Sequence, residues 1–188
     1  MSELFSTYEF VVAQKAEGHF LRRRILFILL YIVYALSFLT VGIITRLGVP
    51  MVALVPVTTW ILAFFTWRYA NIEYEYSMTS GTLTFSEVYG GRSRKKKAEF
   101  RLKDAAAILP LDDPKTADQV NRFAPEIVYN AIPSKDAKDT YVMLYVDESE
   151  KTKGHGKHVA FTFVATAQAL KIMKYYNPSA TVVTEVFR

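Results

Sequence analysis

Cysteine is absent from this chain of 188 residues, and histidine occurs only three times. The lack of cysteine excludes disulfide bonds, thiolate metal sites and thiol chemistry. Neither cysteine nor a carboxylate cluster accompanies His19, His155 or His158 at the spacing of metal ligands, and we interpret His155 and His158 as solvated turn residues. We therefore expect no metal site and no cofactor.

Catalytic and nucleotide-binding motifs are missing as well. The acidic pair Asp112-Asp113 stands before a proline, where adjacent carboxylates usually cap a turn. Gly90-Gly91 lies beside basic residues, but the sequence contains no G-x-x-x-x-G-K-[ST] motif. We expect a protein that is not an enzyme and that has no catalytic residues of its own.

Charge is missing from two long apolar runs, Ile25–Ile44 and Val49–Trp67, which only four residues separate. A helix of about 20 residues spans the roughly 30 Å hydrocarbon core of a bilayer. The short connector then allows only a helical hairpin. Arg22–Arg24 precede the first run and Arg68 follows the second, so the positive-inside rule predicts a multi-pass protein of the cell membrane with both termini in the cytoplasm.

Two buried core helices or a cleavable signal peptide are the alternatives to this hairpin. A signal peptide has an apolar region of about 7 to 15 residues followed by a small-residue cleavage site, and Ile43-Ile44-Thr45-Arg46 lacks that pattern. A soluble helix has a polar face, which neither run shows. The interior Pro56 predicts a kink, with the freed carbonyls met by Thr58, Thr59 or the partner helix.

The chain outside the runs suffices for one small domain. We assign residues 1–24 to an N-terminal cytoplasmic segment, 25–67 to the transmembrane hairpin and 69–188 to a cytoplasmic domain. In the first segment, apolar residues are spaced as one face of a short helix that lies on the membrane surface, on the domain or on a partner. These residues are Leu4, Phe5, Tyr8, Val11 and Val12.

Period-two alternation and turn residues predict strands in the first half of the domain. Ser80-Gly81 and Gly90-Gly91 mark turns between them. We expect Asp112–Glu126 to be a polar loop with one short helical turn. The predicted strands lie over Ile72–Met78, Thr82–Ser86, Glu99–Lys103 and Ala106–Leu111.

The second half predicts two central strands and a helix. Thr140–Val146 and His158–Phe163 are rich in β-branched and aromatic residues, and the charged segment Asp147–Lys157 between them predicts an exposed turn. After Phe163 the spacing becomes helical, and Asn177-Pro178 predicts the end of that helix. The residues at helical spacing are Ala169, Ile172, Met173 and Tyr176.

This order of elements resembles the pleckstrin-homology-like (PH-like) domains of bacteria. The resemblance is carried by Tyr74–Leu111, YEYSMTSGTLTFSEVYGGRSRKKKAEFRLKDAAAILPL, and it implies an α+β fold in which a C-terminal helix caps a small antiparallel β-barrel. A hairpin before such a domain is similar to small bacterial proteins with two transmembrane helices. The insertion Asp112–Glu126 departs from the pattern, and a generic small α+β sheet is the alternative fold.

Positive charge is concentrated in five cations within six residues. We predict that they attract anionic phospholipid headgroups, each contributing about 1 kcal/mol near an anionic leaflet. The alternative is a solvated hairpin tip that only reinforces topology. We expect no nucleic-acid partner. The cations are Arg92, Arg94, Lys95, Lys96 and Lys97.

Two functions of different classes follow. The first is a non-enzymatic, membrane-anchored PH-like module whose cytoplasmic surface binds anionic headgroups or an unidentified membrane or cytoplasmic protein. The second is a non-catalytic subunit of a membrane complex that modifies lipids or the cell envelope.

Overall fold

The computed structural model of the chain describes residues 7–134, 136–147 and 156–186. The α-helices are α1 Gly18–Ile44, α2 Gly48–Thr66, α3 Pro114–Phe123 and α4 Ala167–Tyr176. Two short 3-10 helices cover Trp67–Tyr69 and Leu102–Asp104. The strands are β1 Thr7–Ala13, β2 Ile72–Thr79, β3 Thr82–Tyr89, β4 Ser93–Arg101, β5 Ala105–Pro110, β6 Ile127–Asn130, β7 Thr140–Asp147 and β8 Lys157–Val164. The predicted α+β class is confirmed.

The chain divides into two compact units that alternate along the sequence. Among the described residues, the sheet unit contains 7–12, 74–87 and 95–186, and the hairpin unit contains 13–73 and 88–94. The hairpin therefore enters the chain between β1 and β2. The N-terminal strand belongs to the sheet unit, whereas the sequence had suggested a domain that begins at Tyr69.

The hairpin unit is built on α1 and α2, which are long and apolar enough to cross a membrane over Phe20–Ile44 and Gly48–Tyr69. Near the connector, a Cβ on Gly42 would stand 2.8 Å from the Cβ of Met51, so glycine lets the helices approach closely. At the other end, the hydroxyls of Tyr31 and Thr66 share a hydrogen bond of 2.6 Å.

Helix α2 continues through Pro56. Two residues later the Thr58 hydroxyl donates to the carbonyls of Leu54 at 2.9 Å and Val55 at 3.3 Å. These are the bonds that a helical threonine ordinarily makes to the preceding turn, whereas the carbonyl freed by Pro56 is that of Val52, so the predicted role of Thr58 stays a prediction. The Thr59 hydroxyl is buried without a hydrogen-bond partner among the described residues. The kink itself stays a prediction.

The first sheet has the strand order β1-β2-β3-β4. Ser80-Gly81 joins β2 to β3, and the three residues Gly90, Gly91 and Arg92 join β3 to β4. The residues Ser80, Gly81, Gly90 and Gly91 have φ angles of 50°, 80°, 57° and 67°, which a type I′ hairpin turn requires. Both predicted turns are therefore confirmed.

The N-terminal segment is a strand, so the predicted helix is wrong over the described residues. Tyr8, Phe10 and Val12 alternate along β1 and face the core, with Phe10 stacked on Tyr76 at 4.6 Å between ring centroids. Every second side chain of the segment faces the core, as in a strand, whereas a helix would bury every third or fourth. Of the three predicted locations for this segment, the structure shows packing against the domain. Leu4 and Phe5 lie outside the described residues.

The second sheet has the order β5-β7-β8-β6. Strands β7 and β8 lie at its centre, as predicted, and pair antiparallel from Thr140 opposite Val164 to Asp147 opposite Lys157. Strand β5 pairs antiparallel with β7, but β6 pairs parallel with β8. The described residues form two sheets and no closed barrel, which corrects the predicted antiparallel barrel.

Helix α3 replaces the predicted polar loop. The Asp113 carboxylate caps the helix by accepting from the backbone N–H of Lys115 at 2.9 Å, and Pro114 occupies the first turn. Val120 and Phe123 pack on the outer face of the second sheet, against Val142 among others. The insertion is therefore a structural layer that lets this sheet bury both of its faces.

The main core lies between the two sheets. The Phe161 ring stands 5.1 Å from the rings of both Phe85 and Phe100. Helix α4 closes this core with four buried residues, which confirms the predicted apolar face. At the β2–β3 turn, a Cβ on Gly81 would stand 2.8 Å from the Tyr176 ring, so the turn and α4 pack tightly. The four buried residues are Ala169, Leu170, Ile172 and Met173.

Candidate functional site

The five predicted headgroup-binding cations do not share one turn. Arg92 follows the Gly90-Gly91 turn, whereas the other four lie on strand β4, which begins at Ser93. Successive side chains of a strand point to opposite sides, so these four cannot all face one surface. The predicted basic turn is thus corrected to a turn arginine followed by a basic strand. The four strand residues are Arg94, Lys95, Lys96 and Lys97.

Two of the strand cations are paired with carboxylates. The Lys97 ammonium lies 3.0 Å from the Glu87 carboxylate on the neighbouring strand β3, and Lys96 pairs with Glu99. A paired ammonium contributes less to a long-range field than a lone one. Lys95 is exposed. The basic strand therefore carries less net charge than five cations in six residues suggested.

Arg92 lies against the hairpin. Its guanidinium carbon stands 4.9 Å from the centroid of the Phe64 ring on α2, a cation–π distance. The preceding turn is fixed to the end of the helix, because the Gly90 N–H donates to the Asn71 carbonyl at 2.8 Å. A Cβ on Gly90 would stand 2.8 Å from the Cβ of Arg68, so only glycine allows this approach.

Arg68 stands at the same end of the hairpin. Its guanidinium lies 4.8 Å from the Tyr69 ring centroid, and Nη2 donates to the Tyr69 hydroxyl at 2.9 Å. Nearby, Nε of Arg24 donates to the Ala70 carbonyl at 3.3 Å, and the Tyr69 and Tyr89 rings meet edge to face at 5.9 Å. Sequence reasoning had used Arg68 and Arg24 only as topology signals.

A sequence signal for this cluster did exist. Phe64 and Arg68 are four residues apart, which places them on one side of a helix, and Gly90 allows a turn that approaches closely. The long-range contact between that turn and the helix could not be read from either pattern alone.

The remaining polar candidates have structural roles. Asp113 caps α3, as the sequence suggested for the acidic pair. His158 donates from Nδ1 to the Phe123 carbonyl at 2.6 Å and stacks on the Phe123 ring, so it is partly buried and not a solvated turn residue. His155 and the side chain of His19 lie outside the described residues. The described part of the chain contains no group of three metal-ligating side chains.

Two tyrosines have raised pKa values. Burial raises the pKa of Tyr76 far above its ordinary value, and its hydroxyl donates to the Ala131 carbonyl at 2.5 Å. Burial, followed by the charges of Asp104 and Asp147, raises the pKa of Tyr145. Both phenols stay neutral at physiological pH and serve as core residues.

Comparison with known proteins gives one match. Residues 3–182 match the family described as Bacterial PH-like domain (DUF6106). No curated protein and no solved structure matches the sequence. The match includes β1 and both helices of the hairpin as well as the two sheets.

Proposed function

The chain belongs to this family of bacterial PH-like domains, and on that basis we propose that it is a non-enzymatic module, anchored in the cell membrane, whose cytoplasmic surface engages anionic phospholipid headgroups. The hairpin spans the membrane, and both termini are cytoplasmic. The PH-like domain consists of β1 together with the strands and helices after the hairpin. The observation that carries the proposal is the exposed cation-rich stretch Arg92–Lys95, which follows directly on a turn fixed to the hairpin's end.

The surface of α1 and α2 supports a membrane location. In the most apolar stretch of 18 residues of each helix, only 6% is buried in the first helix and 0% in the second. In water, this would expose an apolar area far above that of typical soluble monomers. The hydroxyls of Ser37, Thr40 and Thr58 donate to carbonyls within their own helix, which satisfies them in a medium without water.

Charge at the helix ends supports the orientation. Arg22 and Arg23 are exposed at the start of α1, and Arg68 follows α2, whereas the connector carries only Arg46. Lysine and arginine concentrate on the cytoplasmic side of membrane proteins. The aromatic residues Trp67 and Tyr69 stand where the membrane interface is expected.

The headgroup interaction predicts a selective loss when the basic strand is neutralised. In the variant Lys95→Gln/Lys96→Gln, the preference of the reconstituted full-length protein for phosphatidylglycerol over phosphatidylcholine should fall about fivefold at low salt, equivalent to about 1 kcal/mol. Electron paramagnetic resonance of spin-labelled lipids measures this preference. Raising the salt concentration should reduce the wild-type preference in the same direction, because the interaction is screened.

The matched control is Lys115→Gln/Arg122→Gln, which removes two exposed charges from α3. This control should keep the wild-type preference. If both double variants keep the wild-type preference for phosphatidylglycerol, the basic strand acts only as a topology signal. A protein partner would then be the better candidate for the cytoplasmic surface.

A further inference from the structure

Arg68 and Arg92 are neighbours at the end of the hairpin although they are distant in the sequence. Gly90 brings the β3–β4 turn onto the backbone of Arg68, with an ideal Cβ 3.0 Å from the Arg68 Cα. Two residues later, Arg92 covers Phe64, which lies one helical turn before Arg68. The turn that carries Arg92 therefore lies against the end of the second helix, where Arg68 stands.

Both guanidinium groups are also held in place while their charge stays available. Arg92 rests on the ring of Phe64, and Arg68 rests on Tyr69 and donates to its hydroxyl. Both residues are exposed, and none of the carboxylates in the described ranges forms an ion pair with either. A guanidinium has five N–H donors, so one bond to Tyr69 leaves Arg68 able to bind an anion.

We propose that Arg68 and Arg92 together bind the phosphate of an anionic phospholipid, a proposal that rests on the proposed membrane function. Planar guanidinium groups match phosphate oxygens with paired N–H donors. Aromatic support fixes their planes before binding, which lowers the entropy lost when the anion binds.

The surroundings favour a lipid phosphate over a soluble one. Phe64 and Phe65, in the last turn of α2 before Arg68, are 47% and 60% exposed. A phospholipid offers a phosphate with acyl chains beneath it, so its two parts match the charged and apolar parts of this surface. A free phosphate ion would leave the phenylalanine rings exposed.

An experiment can distinguish lipid binding by the Arg68–Arg92 pair from attraction by the basic strand. An ammonium group on Lys95 attracts headgroups as a point charge, whereas the Arg68–Arg92 pair depends on guanidinium geometry and stacking. Replacing these arginines by lysine keeps the charge and removes the geometry. The exchange therefore leaves diffuse attraction to an anionic surface unchanged.

The test uses the full-length protein in detergent micelles that contain phosphatidylcholine and either phosphatidic acid or phosphatidylglycerol. Native mass spectrometry measures the anionic lipid retained on each chain. For Arg68→Lys/Arg92→Lys we expect retention to weaken about tenfold relative to the wild type, while Arg46→Lys, at the opposite end of the hairpin, keeps wild-type retention. Inorganic phosphate should not displace the lipid.

A second pair of variants tests the geometry without touching an arginine. Gly90→Ala and Gly91→Ala both place alanine at a positive φ, but only Gly90 meets Arg68, since nothing lies within 4 Å of an ideal Cβ on Gly91. Gly90→Ala should lose retention and Gly91→Ala should lose less. Far-ultraviolet circular dichroism reports whether each variant is folded.

Equal retention by the wild type and the double lysine variant overturns the proposed pair. If the lysine variant of Arg68 and Arg92 retains lipid while Lys95→Gln/Lys96→Gln still lowers headgroup preference, the pair is wrong and the broader headgroup function stands. Displacement by inorganic phosphate as readily as by phosphatidic acid overturns the assignment to a lipid.

Discussion

Replacing Met173 with aspartate is expected to unfold the sheet unit. Met173 is fully buried in the main core beside Ile172 and Leu170 on α4. A carboxylate at this position would have no cationic partner in the core, and burying an unpaired charge costs several kcal/mol. A domain of this size has roughly 5 to 15 kcal/mol of stability in total. Near-ultraviolet circular dichroism, which reports the packing of the core tyrosines, should lose its signal at a temperature where the wild type is folded.

Lys171→Asp is the control, because Lys171 is exposed on the same helix. It should shift the melting temperature little. Helical signal from the hairpin should persist in Met173→Asp, since α1 and α2 lie in the other unit. A variant as stable as the wild type would show that α4 does not close the core.

Replacing Asn177 with alanine is expected to cost the sheet unit about 2 to 4 kcal/mol. The Asn177 amide donates to the carbonyl of Leu102 at 3.0 Å, in the first residue of the second 3-10 helix, and to that of Ala105 at 2.9 Å, directly after this helix. Its oxygen accepts from the backbone N–H of Ala180 at 3.2 Å. One buried side chain thus joins the β4–β5 connection to the segment after α4, and its removal takes one donor away from each of these two carbonyls. Urea denaturation of the full-length protein in detergent measures the loss.

Two further variants, one at this position and one two residues later, separate hydrogen bonding from volume. Asn177→Asp keeps the shape but turns a negative oxygen toward the carbonyls, so it should destabilise at least as much as alanine. Ser179→Ala removes only a contact of 3.2 Å to the Asn177 oxygen and should cost little. If Asn177→Ala, Asn177→Asp and Ser179→Ala were equally stable, the hydrogen bonds of the Asn177 amide would not stabilise the sheet unit.

Elements with strong local signals could be predicted from the sequence. The two uncharged runs predicted α1 and α2, and Ser80-Gly81 and Gly90-Gly91 predicted turns, because only residues that tolerate positive φ fit there. The alternation before Ser80 predicted β2, and the helical spacing around Met173 predicted α4. In each case one local pattern dominated.

Where two patterns competed, prediction failed. In the segment before Gly18, the apolar residues Tyr8 and Val11 fit the spacing of a helix, but Tyr8, Phe10 and Val12 also fit the alternation of a strand. The segment forms a strand because it pairs with β2. Like charges disfavour a strand at Lys95 to Lys97, yet pairing with β3 imposes one. The Asp113-Pro114 signal for the start of α3 is present in the sequence, but adjacent carboxylates before a proline indicate a turn equally well.

The candidate site could be predicted only in part. The concentration of positive charge near the hairpin follows from the sequence. The ion pairs of Lys96 and Lys97, which weaken the basic strand, depend on strand register and short-range geometry. The meeting of Arg92 with Phe64 and Arg68 depends on a tertiary contact that Gly90 permits.

Accessibility of single cysteines tests the central claim, a PH-like domain held in the cytoplasm by an inserted transmembrane hairpin. Since the chain has no cysteine, Leu47→Cys in the connector and Lys115→Cys on α3 each carry one thiol. In intact bacterial cells, a membrane-impermeant maleimide should label Leu47→Cys, and it should label Lys115→Cys only after the cells are permeabilised. Labelling of Lys115→Cys in intact cells, or protection of Leu47→Cys from outside, would contradict the account.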